Sequence, residues 1–234
     1  MQIRQAVSAD IPEIINLLKI SMGEALLPKS EAYFLWKHMQ NPFGQSKILL
    51  SEEDGKITGL RAFMRWTWVS ASQTISAVRA VDTATHPDYQ GKGIFRKLTL
   101  QAVEECKQEG INLVFNSPNP KSMAGYLKMG WHTAGRMPVY FGIGSMIPGF
   151  FSEKTNQLVA RQFDIAEQLE KLPATWSLPK SDKALHTPLD YRYIQWRYSQ
   201  CPVASYGALI DADKFGIIFR VKKINLFIEL RICE

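Results

Sequence analysis

Hydrophobic and polar positions up to Phe115 switch between two periods. Gln2–Val7 has the short alternation of a strand. After it, Ile11, Ile14, Ile15 and Leu18 recur at helical spacing. Asp10 and Glu13 read as an N-cap and its capping box, with Pro12 tolerated in the first turn. A second helix is expected over Glu31–Gln40, stopped by Asn41-Pro42. Lys47–Ser51 and Ile57–Val69 read as strands joined by a hairpin turn at Asp54-Gly55. The next strand, Thr74–Thr85, runs into His86-Pro87-Asp88-Tyr89-Gln90-Gly91-Lys92-Gly93-Ile94-Phe95. A helix follows at once, with Ile94, Leu98, Ala102 and Cys106 on one apolar stripe and Gly110 at its C-cap position. Ile111–Phe115 then reads as a buried parallel strand.

Glycines at a helix N-terminus leave backbone N–H groups free and uncovered by any Cβ. Together with the helix dipole they make a site for phosphate oxygens, and Lys92 adds a mobile positive charge. Glycine-containing turns are common, so spacing alone leaves an ordinary turn equally open.

Composition narrows the classes. Of 234 residues, 46% are hydrophobic and 21% charged, which excludes a disordered or fibrous chain. No apolar run approaches the roughly 18 residues a membrane span needs, and the start, MQIRQAVSAD, has no signal architecture. Cys106, Cys201 and Cys233 have no metal-ligand spacing, and an odd count argues against a disulfide framework. The net charge of +6 comes from scattered Lys and Arg rather than a basic stripe. The expectation is a cytoplasmic, reduced protein without metal, nucleic acid or membrane partner.

Two runs carry a family resemblance. Gln90-Gly91-Lys92-Gly93, after a strand and His-Pro-Asp-Tyr, resembles the acyl-CoA pyrophosphate loop Gln/Arg-x-x-Gly-x-Gly/Ala of the GNAT superfamily of N-acyltransferases. The later run Asn119-Pro-Lys-Ser122-Met-Ala-Gly-Tyr126-Leu-Lys128-Met-Gly130-Trp131 is similar to the second GNAT signature, with Ser122 at the usual Ala position and Trp131 at the usual Phe position. Phe95 departs from the family pattern, which has a small residue there, so its ring must enter the core or narrow the entrance. The resemblance implies an α/β (α+β) GNAT fold over residues 1–145: a mixed central sheet flanked by helices, with two parallel strands, ending near Thr85 and Phe115, splayed at the CoA site.

It also implies roles. The amides of Gln90, Gly91, Lys92, Gly93 and Ile94 would hold the pyrophosphate of acetyl-CoA, the co-substrate. Thr83, Ala84 and Thr85 would pair with the pantetheine arm like an added strand, with Asn119 and Ser122 nearby. Tyr126 would be the general acid toward the CoA thiolate. Asp82, among Ala80, Val81 and Ala84, would be a partly desolvated carboxylate with a raised pKa, suited to a general base; a structural hydrogen bond at a strand bulge is the competing reading. His86, Glu24 and Glu31 are weaker candidates. Met22, Trp36, Arg61, Arg65, Trp66 and Trp68 would wall the acceptor cleft, for a small-molecule, sugar or peptide amine. The implied activity is acetyl transfer to a primary amine by direct attack in a ternary complex. The alternative is a non-catalytic acyl-CoA-binding regulatory module, and the basic net charge alone offers a nucleic-acid binder.

The C-terminal part echoes the start. Arg161-Gln-Phe-Asp164-Ile165-Ala-Glu167 parallels the segment from Arg4 to Glu13, and Tyr193-x-x-Trp196-Arg197-x-x-Gln200-x-Pro202 parallels Tyr33-x-x-Trp36-Lys37-x-x-Gln40-x-Pro42. Each second echo precedes an apolar strand, Ile48–Leu50 or Ala208–Ile210. A turn at Asp211–Lys214 leads to strands Phe215–Val221 and Ile224–Cys233. After a linker at 146–156, residues 157–234 are expected to form a smaller α/β half-domain, a partial GNAT-like repeat. No second Gln-x-x-Gly follows, so it should carry no CoA site of its own, as a shortened or a degenerate copy. Its last strand offers an edge at which a second copy of the chain could pair, giving a homodimer.

Overall fold

A computed structural model describes residues 1–24, 27–136, 139–140, 142, 163–178, 184–211, 215–224 and 227–234. The expected linker at 146–156 and the echo residues Arg161 and Gln162 lie outside them. The first unit is a five-stranded sheet in the order β1-β2-β3-β4-β5. Its strands are β1 (Gln2–Gln5), β2 (Lys47–Glu53), β3 (Lys56–Val69), β4 (Thr74–Thr85) and β5 (Leu113–Phe115). The first four pair antiparallel and β5 joins β4 in parallel. Four helices flank it: α1 (Ile11–Met22), α2 (Glu31–His38), α3 (Ile94–Gln108) and α4 (Pro120–Lys128).

The two sheet faces carry separate cores. Ile14, Leu17 and Leu18 of α1 and Phe34 of α2 pack on Ile48, Leu50, Leu60 and Ala62. On the other face the α3 stripe Ile94, Leu98, Ala102 and Cys106 packs on Leu49, Phe63, Val78 and Ala80. Burial pushes the Cys106 thiol up to about 11, so it is an inert packing group. Lys47 joins Glu105 and Glu109 at 2.6 and 2.7 Å, tying the end of α3 to β2.

The expected capping box is not formed. Asp10 accepts from Arg4 at 2.7 and 2.8 Å and from the Val7 amide, and Glu13 accepts from the amide of Ile57 at 2.8 Å. Neither carboxylate binds the amides of α1: Asp10 serves Arg4 and the Val7 amide before the helix, and Glu13 the Ile57 amide of β3.

A second, smaller sheet contains β6 (Gly207–Asp211), β7 (Phe215–Ile224) and β8 (Phe227–Ile232), all antiparallel. Two short helices accompany it, α5 (Ile165–Leu169) and α6 (Tyr191–Ile194), the latter continuing as a π-helical turn through Ser199. One aromatic core joins the units: Trp36, Met64, Trp66 and Ala77 of the first pack with Ile165, Tyr193, Trp196 and Ile218 of the second. No helix among the described residues is long and apolar enough to cross a membrane.

Candidate active site

The sheet opens where β4 outruns β5. Among the described residues the parallel register covers only Ala77–Leu113, Val78–Val114 and Arg79–Phe115, while β4 runs on to Thr85. Its far half therefore has one bare edge. Between the pairs Arg61–Thr83 and Phe63–Ala80, β4 places both Val81 and Asp82 opposite Ala62, a bulge that turns the strand end away.

After β4 the chain makes a 3-10 turn at Pro87–Tyr89 and enters the glycine loop. Gly91 and Gly93 have φ of 77° and 74°, the left-handed region, which a Cβ disfavours. Gly93 is the N-cap of α3 and no side chain caps the helix, so the first-turn amides face outward without a protein partner of that kind. A Cβ added at Gly91 or Gly93 would meet nothing within 4 Å, so the space in front of the loop is open. Gly59 sets the helix height. A Cβ there would lie 2.5 Å from Ile94 Cγ2 and 2.6 Å from Ser51 Oγ, so only glycine lets Ile94 settle on the sheet.

In front of the loop lies a cleft of about 710 Å³. Thr83, Ala84 and Thr85 line it from the bare end of β4, Gln90, Gly91, Gly93 and Ile94 from the loop, and Asn119 and Ser122 from the start of α4. Lys92 is not on this wall; its Nζ lies 4.3 Å from the Tyr89 ring centroid. The sequence reading passed over Arg96 and Lys121, which line the cleft from the first turns of α3 and α4. A basic residue just inside each helix that follows a signature is the signal that could have found them. Met22, expected on the acceptor side, lines this cleft with Ser21. The Oγ of Ser21 donates to the carbonyl of Thr85 at 3.1 Å. Uncapped amides, two cations and a free strand edge around one opening fit an anionic acyl-CoA.

Asn119 caps α4: its side-chain oxygen accepts from the Ser122 amide at 2.9 Å. That leaves its amide nitrogen as the group available to a ligand. Tyr126, two turns later, is buried behind the cleft wall rather than on it. Its ring meets Phe95 edge-on at 5.4 Å and Trp131 at 5.3 Å. Phe95 lines the cleft and also closes over Tyr126, and its ring sits 3.0 Å from where a Cβ of Gly125 would be. The extra bulk at 95 thus fills the seam between α3 and α4.

Asp82 does not have the raised pKa expected of it. Both its oxygens accept from Lys37 Nζ at 2.9 Å, and Oδ2 pairs with His38 Nε2 at 2.8 Å. Burial alone would raise its pKa, but the Lys37 charge and the His38 hydrogen bond overcome this and hold it well below the usual carboxylate range. A carboxylate so satisfied is a weak base. His38 is itself fully buried, its pKa lowered chiefly by that burial, and its Nδ1 lies 2.9 Å from Ser46 Oγ.

The expected acceptor wall also resolves differently. Trp36 and Trp66 are buried in the aromatic core, where Trp66 Nε1 donates to Thr187 at 3.1 Å, and Trp68 packs at its margin against Phe115. The second unit covers the face these rings share. Arg61 leaves the opposite face, fully buried on the α3 side. Arg65 pairs with Glu109. Among the described residues no cluster of His, Cys, Asp and Glu could hold a metal ion.

Comparison with known proteins places the chain in a family. Over 95 residues the chain is 30% identical to the L-amino acid N-acyltransferase MnaT of Escherichia coli, and 28% identical to an L-methionine sulfoximine/L-methionine sulfone acetyltransferase of Salmonella typhimurium. Each match covers 39% of this chain and 53% of the relative, so the chain spans about half the length of these curated relatives. An aminoglycoside 6'-N-acetyltransferase from Acinetobacter haemolyticus superposes with a TM-score of 0.48 at 19% identity, over 62% of this chain and all of the other. A Trypanosoma brucei acetyltransferase does so at 0.47 and 20%, over 60% of this chain and 98% of the other. Residues 2–134, more than half of the chain, match the acetyltransferase (GNAT) domain, and the protein belongs to that family.

Proposed function

We propose that this protein transfers an acyl group, acetyl foremost, from acyl-CoA to a primary amine by direct attack with both substrates bound. The observation that carries this reading is the single cleft at which the bare end of β4, the uncapped N-terminus of α3 and the cap of α4 meet. Acetyl-CoA supplies the acyl group and a thiol that departs. The amides of Gly91–Ile94, with Arg96 and Lys121, hold its pyrophosphate by charge and dipole. The strand edge at Thr83–Thr85 aligns the extended arm, and Asn119 donates its side-chain amide. Tyr126, behind the wall residue Phe95, is the acid that gives its proton to the leaving sulfur once that ring swings aside. No carboxylate lines the cleft among the described residues, so the proton of the attacking amine leaves to solvent. The setting is the cytoplasm, where Cys106, Cys201 and Cys233 stay free thiols.

Thermal stabilisation by acetyl-CoA, free CoA and a long-chain acyl-CoA tests the binding half. Ligand at about 100 times its dissociation constant adds roughly 2.7 kcal/mol, and Gly93→Glu should abolish the shift. Thiol release with a panel of L-amino acids, methionine sulfone, amino sugars and aminoglycosides tests the transfer half. No shift with any donor would sink the reading, and unchanged turnover in Tyr126→Phe would remove that residue's role.

We further propose that residues 157–234 are a partial second copy of the fold, with 1–145 the catalytic domain and 146–156 the linker. Matching local geometry supports this. The Tyr193 amide donates to Asp190 as the Tyr33 amide donates to Ser30, and Gln200 N donates to Gln195 O as Gln40 N does to Leu35 O. Asp164 bridges Gly207 antiparallel, as β1 does β2.

A further inference from the structure

Arg61 stands opposite Thr83 in the sheet register, next to the cleft, and is fully buried. None of its three guanidinium nitrogens has a hydrogen-bond partner. Its Cζ lies 4.9 Å from the ring centroid of Phe63, 5.4 Å from Tyr126 and 5.8 Å from Phe95. The ring faces soften the burial of the charge but accept no hydrogen bond of ordinary strength. A guanidinium only donates, so the missing partner is an acceptor or an anion. A second orphan points the same way: Trp131 Nε1 is buried without a partner, and its ring packs on Tyr126. Burial lowers the pKa of Arg61, an effect opposed by the charge and a loose hydrogen-bond approach of Tyr126, which falls short of ordinary hydrogen-bond geometry, and then by Asp82. Asp82 is already saturated by Lys37 and His38. Among the described residues, the side chains on the Tyr126 ring are Phe95 from α3, Trp131 after α4 and Arg61 from β3, and of these only Arg61 is charged.

We propose that Arg61, with Trp131 as a second donor, is a positioning cation for Tyr126 that holds the phenolate left when Tyr126 has given its proton to the departing sulfur. The inference rests on Tyr126 being the acid proposed above. In that step the C–S bond breaks with its electron pair on sulfur, and the Tyr126 hydroxyl proton passes to the sulfur. The phenolate stays paired with Arg61 until a proton equivalent to the one lost by the acylated amine returns through solvent. Such a cation is at most loosely paired at rest and pairs fully only as the reaction proceeds, which is where an interaction accelerates catalysis. It follows that Arg61 weakens the resting fold.

Arg61→Met and Arg61→Lys test this through four readouts: Tm without ligand, the acetyl-CoA thermal shift, kcat and KM. Replacing an uncompensated buried charge by an apolar side chain of similar volume should raise the Tm of Arg61→Met by about 3 °C or more. Its acetyl-CoA shift and KM should stay at the wild-type values while kcat falls by about tenfold or more. Arg61→Lys should recover part of kcat. A lower Tm in both variants with kcat retained would overturn the proposal and leave Arg61 a packing residue. So would a preference for malonyl- or succinyl-CoA that Arg61→Met abolishes, since the cation would then serve a donor carboxylate. Full turnover in Tyr126→Phe removes the acid itself; a slow Tyr126→Phe beside a fast Arg61→Met removes only the role of Arg61.

Discussion

Trp36 and Trp196 each donate their indole N–H to the other's main-chain carbonyl, at 2.7 and 2.9 Å, with their rings stacked 5.0 Å apart and 17° from parallel. The exchange is reciprocal, as across a local two-fold axis, and both rings are buried at the seam between the two units. Each indole satisfies a carbonyl that would otherwise be orphaned by burial. Trp196→Ala should cost about 3–5 kcal/mol in urea unfolding, and Trp36→Ala about the same. The double variant should cost about 1–3 kcal/mol less than the sum of the two single changes, because their shared contact is lost only once. Strictly additive losses would show that the stacked pair does not hold the seam.

Asn119 combines a structural and a ligand-facing role that substitution can separate. Its oxygen caps α4 through the Ser122 amide and also accepts from Ser122 Oγ at 3.1 Å. Asn119→Asp keeps that acceptor and removes the amide donor, so stability should stay within about 0.5 kcal/mol while acetyl-CoA affinity drops. Asn119→Ala should lose about 1 kcal/mol as well as affinity. If Asn119→Asp bound acetyl-CoA as well as wild type, the donor role would be excluded.

The contrast between what periodicity reveals and what it hides follows from the range of the interactions. Helical spacing through Ile94, Leu98, Ala102 and Cys106, and glycines at 91 and 93, are local signals, and they placed α3 and the loop correctly. The bare end of β4 followed from the family signatures. Asp82 misled because its neighbours in sequence are apolar, whereas its partners Lys37 and His38 come from a helix 45 and 44 residues earlier. The carboxylates of Asp10 and Glu13 fit a capping pattern but found Arg4 and the Ile57 amide instead. Alternation across Trp66 and Trp68 reveals that one face is apolar, not that Tyr193 and Trp196 come to cover it.

The Lys37–Asp82–His38 cluster makes stability depend on pH in two stages. His38 has a folded pKa below its ordinary 6.5, so the unfolded chain takes up a proton first as pH falls. Its contribution is full above about 6.5 and is lost below it, at up to about 1.4 kcal/mol per pH unit. Asp82 also has a depressed folded pKa, so its contribution is present above the ordinary 3.8 and is lost as pH falls toward its folded value. His38→Gln removes the first titration while offering an amide to Asp82. Urea unfolding of that variant should show a flatter profile just below about pH 6.5, with the steep loss near and below the ordinary Asp value of 3.8 retained. An unchanged slope in the upper window would mean that His38 is not the group responsible.

Gly59 ties the sheet to the cleft most directly. It pairs with Thr85 across β3 and β4 and with Ser51 across β2 and β3, and it lies under Ile94, the first residue of α3. A methyl group there must displace the Ile94 side chain, the Ser51 hydroxyl or both, because the gaps of 2.5 and 2.6 Å are far below van der Waals contact. Ser51 cannot move freely, since its hydroxyl is 2.9 Å from that of Thr58. Ile94 must therefore rise, and with it the amides of the glycine loop. Gly59→Ala should cost about 1–3 kcal/mol by overpacking. It should also weaken acetyl-CoA binding, although residue 59 lines no part of the cleft. Trimming the other partner tests the cause: Ile94→Ala, which removes Cγ2, should restore part of the lost acetyl-CoA binding in the Gly59→Ala background. If the second change weakens binding further instead, the height of α3 is not what Gly59 controls.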